Sequence, residues 1–192
     1  MLPMTRSAFD LDRFIEDCRT ALREDPPQKA VREVLAGALS GRGLPAALGE
    51  PRRAQIQTLH HASDLTILNV VWAPEMMVMP HDHRMWAVIG IYEGREDNMF
   101  WRRIKDETGG RIEAAGARNL GEGDCWPLGP DIIHSVTNPI PRFTGALHIY
   151  GGDFFAQARS EWDSETLLER PYSSAKTLRM FEEANKRAAT AG

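Results

Sequence analysis

Two histidines one residue apart, His81 and His83, stand at the head of a run of strand-forming residues that ends at Gly94. In an extended strand the side chains at i and i+2 leave the same face, so the two imidazoles can reach one point in space. Neutral imidazole is the commonest protein ligand for first-row transition metals. Pro80, which lacks a backbone donor, suits the start of such a strand. A third ring lies downstream: His134 opens another strand-forming run, after a turn carrying Pro127 and Gly129 and ahead of Asn138. Together the three form a candidate metal site. His60 and His61 are adjacent, so they point to opposite faces and are read as ordinary polar residues.

A second constellation follows. Ala146, His148 and Tyr150 alternate along one run and share a strand face. A phenol and an imidazole then line up side by side, near the metal if that face is the barrel interior. Cys18 falls on a helical stripe and Cys125 in a strand, and the two make neither a disulfide framework nor a paired metal motif. Trp72, Trp86, Trp101, Trp126 and Trp162 read as core.

Holding these side chains requires strands, and the middle of the chain supplies them. From about residue 53 the segments become short, β-branched and aromatic. Strands are expected near 55–60, 65–72, 76–80, 83–92, 97–104, 111–113, 117–120, 124–127, 132–138 and 143–150. Turns fall at 73–75, 94–97, 108–110, 121–123 and 138–139. Many short strands with tight turns indicate a sandwich or closed barrel. Ahead of them, Ser7 and Asp10 fit a capping pattern before Leu11, Phe14, Ile15, Cys18 and Leu22, which sit at helical spacing. Residues 25–27 stop that helix. Val31, Val34, Leu35, Ala38 and Leu39 continue the period until Gly41 and Gly43. The tail returns to helix, with Leu178, Phe181 and Ala184 on one stripe. The expected organisation is one domain: a helical segment, 1–50, packed on a barrel, 51–160, with a C-terminal extension, 161–192, that carries a helix.

The 192 residues are 42% hydrophobic and 26% charged, with a net charge of −4 and no long basic run. That gives nucleic-acid binding no electrostatic support. No apolar run reaches membrane length, and the first residues lack the apolar core of a signal peptide, so a soluble cytoplasmic protein is expected.

The His81 and His83 pair, followed by Gly121, Pro127, Gly129, His134 and Asn138, resembles the two motifs of the cupin superfamily, with a longer gap than usual between Gly121 and His134. The resemblance implies a mainly β fold, the cupin double-stranded β-helix or jelly-roll barrel, with N-terminal and C-terminal α-helices and a metal in the barrel mouth. The glutamate that usually joins the histidines should fall at Ala87 or Val88. The implied site is therefore three neutral imidazoles, which leave a divalent ion its full charge and favour an anionic ligand from substrate.

Over about residues 55–160 the chain looks like the thiol dioxygenase branch of the cupins, which includes cysteine dioxygenase and 3-mercaptopropionate dioxygenase. The resemblance implies Fe(2+) held by His81, His83 and His134. It implies catalytic roles for His148 and Tyr150, matching a Ser-x-His-x-Tyr run. Arg159, nine residues past the tyrosine, would bind a substrate carboxylate, with Gln57 (or Gln55) nearby. The implied reaction oxidises a small carboxylate-bearing thiol to a sulfinate with O2. Three positions depart from the pattern. Ala146 replaces the relay serine, which shortens the proton chain. Val88 stands where one branch has a cysteine cross-linked to the tyrosine. The carboxylate-binding arginine of the animal-type enzyme has no clear counterpart, and Arg84, Arg102 and Arg103 compete with Arg159 for an anion. Two other classes use the same barrel: an isomerase or hydrolase with zinc, nickel or manganese, and a non-catalytic cupin that binds a small anion. Cupin barrels often pair edge to edge, which suggests a homodimer.

Overall fold

The computed structural model describes residues 9–41, 43–105 and 107–190. The chain opens with α1 (Leu11–Ala21), α2 (Pro27–Ser40) and the short α3 (Leu44–Leu48). Ser7 lies outside the described residues. Asp10 caps α1, its carboxylate accepting from the Arg13 backbone N–H. Pro27 begins α2 at the position where a missing donor costs nothing.

The strands are β1 (Gln55–His61), β2 (Thr66–Trp72), β3 (Met77–Asp82), β4 (Ala87–Glu93), β5 (Arg95–Arg103), β6 (Ile112–Gly121), β7 (Cys125–Leu128), β8 (Ile133–Thr137), β9 (Thr144–Tyr150), β10 (Ser160–Trp162) and β11 (Glu169–Pro171). They form two antiparallel sheets, in the orders β1-β2-β9-β4-β7 and β11-β10-β3-β8-β5-β6. The pairing has one rule. β2 pairs β9 and β4 pairs β7 in the first sheet, while β3 pairs β8 and β5 pairs β6 in the second. This is one long hairpin, β2–β5 against β6–β9, whose successive pairs alternate between sheets as it winds. That winding is a double-stranded β-helix, the jelly-roll barrel. α4 (Ser174–Thr190) closes the described chain.

Two apolar layers follow from this geometry. Leu68, Val70, Ile89, Ile91, Ala146 and Tyr150 fill the barrel. The alternate residues Ile67, Val88, Leu147 and Ile149 leave the other face of the same sheet and pack under α1–α3 with Phe14, Val31 and Leu35. β2 and β9 are buried at every position because both their faces are covered. Gly90 on β4 lets α2 approach: a Cβ there would meet Leu35 Cδ2 at 2.7 Å. α4 crosses the barrel end and is pinned by Asn185, whose side chain accepts from Ala54 N–H at 2.7 Å and donates to Ala54 O at 2.9 Å.

Several expectations change. The segments expected at 111–113 and 117–120 are one strand, β6. Phe100 faces Gly116 and Trp101 faces Ala114, so a bulge at Ala115 absorbs the apparent break. The C-terminal extension contributes β10 and β11 as well as a helix. On α4 the buried stripe is Thr177, Phe181 and Ala184, and Leu178 is exposed, because the face is centred one residue earlier than the apolar pattern suggests. No helix among the described residues is long and apolar enough to cross a membrane.

Candidate metal centre

The site begins with an irregularity in β3. Val78 pairs with Val136, and His81 with His134, so three steps on β3 match two on β8. The extra residue makes a bulge at Met79–Pro80, where a proline costs no ladder bond. The bulge also resets the alternation. Val78 and His81 both face the barrel cavity, whereas strict alternation would put Pro80 inside and His81 outside. His83 does not begin a strand as expected. It follows the end of β3 in a turn where Arg84 takes a φ of +52°, and β4 starts only at Ala87.

His81, His83 and His134 are all buried, and one ligand nitrogen from each lies within 4.8 Å of the others. Ring centroids are 5.0, 4.7 and 4.9 Å apart. His83 Nε2 and His134 Nε2 are 3.4 Å apart. Two nitrogens bound at about 2.05 Å to one tetrahedral ion would be about 3.3 Å apart. The outer nitrogens fix the tautomers. His81 Nδ1–H donates to Met79 O at 2.9 Å, a carbonyl the bulge provides, and His134 Nδ1–H donates to Asn98 Oδ1 at 2.6 Å. Both rings therefore turn a bare Nε2 inward. Burial pushes His81 down to about 4. His83 and His134 are held well below the ordinary imidazole value, first by burial and then by neighbouring rings. Three neutral imidazoles converging on one spot, two of them with bare lone pairs, fit a divalent transition ion.

A narrow cavity of about 40 Å³ adjoins the cluster, lined by Trp72, His148, Tyr150, Phe154, Arg159 and Phe181 among others. That is room for roughly three water-sized groups. A larger groove of about 820 Å³ runs between α1 and α2. It contains no histidine and none of the residues singled out for chemistry. Tyr150 stacks edge-on to His83 with centroids 4.9 Å apart, and its hydroxyl lies 3.2 Å from His148 Nδ1. Burial raises the Tyr150 phenol, which keeps it neutral. The guanidinium of Arg159 lies between two rings, 3.9 Å over Phe154 and 4.1 Å over Tyr172. Its Nε and Nη1 are buried and have no hydrogen-bond partner. The competing arginines are engaged: Arg84 with Asp82, Arg102 with Glu113 and Arg103 with Glu169.

Gln57 is placed elsewhere. Ile56 lines the cavity, so period two turns Gln57 outward, where its Oε1 accepts from Asn69 Nδ2 at 3.2 Å. Val88 also faces away, toward the helices, and the residue across the ladder from Tyr150 is Ala87. Neither can cross-link. His61 pairs with Asp153 at 2.8 Å, and the buried Nε2 of His60 has no partner. Burial raises Cys18 and Cys125 to about 12, which leaves both thiols inert.

The contacts of His148 do not end at Tyr150, although Ala146 offers no hydroxyl. His148 Nε2 lies 3.1 Å from Glu96 Oε2, a carboxylate with no exposed surface. Glu96 sits in the stretch whose sequence reads as a turn and Asn98 at the head of the strand expected after it, and only their alternation along β5 marks both as inward-facing.

No protein-family model matches the chain. Among solved structures it is similar to an RmlC-like cupin with a double-stranded β-helix fold from Methanocaldococcus jannaschii, at 10% identity and a TM-score of 0.45 over 56% of this chain and 87% of that one. It is similar to a Bacillus halodurans protein at 15% identity and a TM-score of 0.45, covering 53% and 72% of the two chains. Oxalate decarboxylase from Bacillus subtilis matches at 18% identity and a TM-score of 0.39, over 50% of this chain but only 22% of that one. The jelly roll rests on the strand pairing, and the metal site on the histidine geometry.

Proposed function

We propose that the protein is a non-haem Fe(2+) dioxygenase that converts a small, carboxylate-bearing thiol to its sulfinate, RSH + O2 → RSO2H. One observation carries this reading: three neutral imidazoles converge beside a cavity that also holds the unpartnered guanidinium of Arg159. His81, His83 and His134 would hold the ion, which would supply a +2 charge that favours a thiolate and the redox chemistry that dioxygen requires. Arg159 offers a planar pair of donors to the substrate carboxylate, and its aromatic walls hold the fork in place. Phe154, Trp72 and Phe181 keep the cavity dry, which strengthens that pairing. Tyr150 receives the thiol proton at Oη as its own proton passes to His148 Nδ1. The narrowness of the cavity favours the smallest carboxylate thiols.

The test is oxygen uptake by iron-loaded protein with 3-mercaptopropionate, cysteine, mercaptosuccinate and cysteamine. Carboxylate thiols should consume one O2 per thiol and yield sulfinate, with cysteamine poorest. No uptake with any of them, together with tight retention of zinc, would remove the oxygenase and leave a hydrolase, an isomerase or a binding protein.

A further inference from the structure

A carboxylate in a dry interior needs donors, and Glu96 has three. Trp72 Nε1–H donates to Oε2 at 2.8 Å, Asn98 Nδ2–H donates to Oε1 at 3.0 Å, and His148 Nε2 faces Oε2 at 3.1 Å. Burial works to raise the Glu96 carboxyl, but His148, Asn98 and Trp72 outweigh it and hold it below the ordinary range. With the Trp72 indole, which can only donate, on Oε2 and the Asn98 amide on Oε1, Glu96 acts as an acceptor, and this orients the two neighbours that could turn either way, His148 and Asn98. His148 must carry its proton on Nε2, leaving Nδ1 as the acceptor for Tyr150 at 3.2 Å. Asn98 must turn its amide nitrogen to Glu96 and its oxygen to His134 Nδ1–H at 2.6 Å. That leaves His134 Nε2 bare.

We propose that Glu96 is a positioning residue that sets two imidazoles at once, His148 directly and the ligand His134 through Asn98. It occupies the place in the relay that Ala146, lacking a hydroxyl, cannot fill. One buried charge thus links the metal-holding group of residues to the proton-handling one. The inference rests on the metal-site half of the proposed function and not on the identity of the substrate.

The first test needs no variant. Ring-nitrogen NMR of the wild-type protein loaded with zinc should show His148 protonated on Nε2 and His134 on Nδ1. The opposite tautomer on either ring overturns the proposal, even if no variant folds. The second test compares zinc affinity, by chelator competition, in Glu96→Gln, Asn98→Ala and His148→Gln. Glu96→Gln and Asn98→Ala should each weaken zinc about tenfold, the usual scale for partners behind a ligand. His148→Gln should change it less than about twofold, because His148 holds no ligand. The His148 ring signal should shift in Glu96→Gln and stay in place in Asn98→Ala. Where a thiol is turned over, Glu96→Gln should lower kcat and leave KM near wild type, since Arg159 is untouched. Unchanged zinc affinity and ring signals in Glu96→Gln would overturn the proposal. Wild-type protein with the expected tautomers but no thiol oxidation would instead remove the oxygenase reading alone.

Discussion

Two ionic networks are built into this barrel from similar groups, and they do different work. Inside, Glu96 has no exposed surface and holds Trp72, Asn98 and His148. At the rim, Glu169 is about a quarter exposed and sits between Arg103 and Arg84, with the Ser160 hydroxyl donating to it at 2.6 Å. Water can replace each rim contact, so one such pair contributes only about 0–1 kcal/mol. Nothing replaces the inner contacts, and losing one member strands the others at a cost of about 3–5 kcal/mol. The rim network ties β10 and β11 to the barrel. The inner network turns the Nε2 of His134 toward the other two histidines and the Nδ1 of His148 toward Tyr150.

Substitutions in the two networks should differ widely in what they cost. His134→Ala removes a ligand at the end of the inner network and should abolish metal retention and turnover together, checked by metal content after gel filtration and by oxygen uptake. Full metal occupancy in that variant would refute the ligand assignment. Glu96→Ala leaves three donors unpaired and should lower unfolding free energy by about 3–5 kcal/mol in urea titrations. Arg159→Met separates function from stability. It should raise KM for 3-mercaptopropionate by about 10- to 100-fold, the scale of a charged hydrogen bond. The melting temperature should change little, because Nε and Nη1 have no hydrogen bond to lose and a methionine still packs against Phe154 and Tyr172. Glu169→Gln should cost under about 1 kcal/mol at neutral pH. Its sign with pH follows from Arg103, whose hydrogen bond holds Glu169 down at about 2 against the opposing effect of burial. A depressed carboxylate stabilises the fold fully above its unfolded value, about 4.5, and that contribution is lost as pH falls toward 2. The gap between wild type and Glu169→Gln in thermal scans should therefore close on acidification.

Much of the site was legible because strand alternation is a two-residue rule. It places His148 beside Tyr150 without reference to the rest of the chain. The same rule misleads where the backbone departs from it. Regular alternation through Pro80 would turn His81 away from the cavity, and only the bulge, visible in the pairing of β3 with β8, brings it in. His83 arrives by a turn and not by a strand. Gln57 differs from Ile56 by one position and so by a whole sheet face. Glu96 lies in Gly-Arg-Glu-Asp, which reads as a charged, solvated turn. Pairing of β5 with β6 on one side and with the more distant β8 on the other buries it. Composition gave the barrel and its flanking helices, because short β-branched segments between turn residues have few other ways to bury themselves. β10 and β11 were missed because three-residue strands carry no periodicity.

The clamp between Asn185 and Ala54 also has a practical consequence. Thr177 and Phe181 form part of the cavity wall, yet α4 is the last described element of the chain, so the barrel owes none of its strand pairing to it. Proteolysis or a fusion that peels this helix away should leave a folded shell whose interior floods. Such a shell would keep its β-type circular dichroism while the cavity beside Arg159 loses a wall. The tail is thus a roof that shares the core of the room beneath it without lending it a strand.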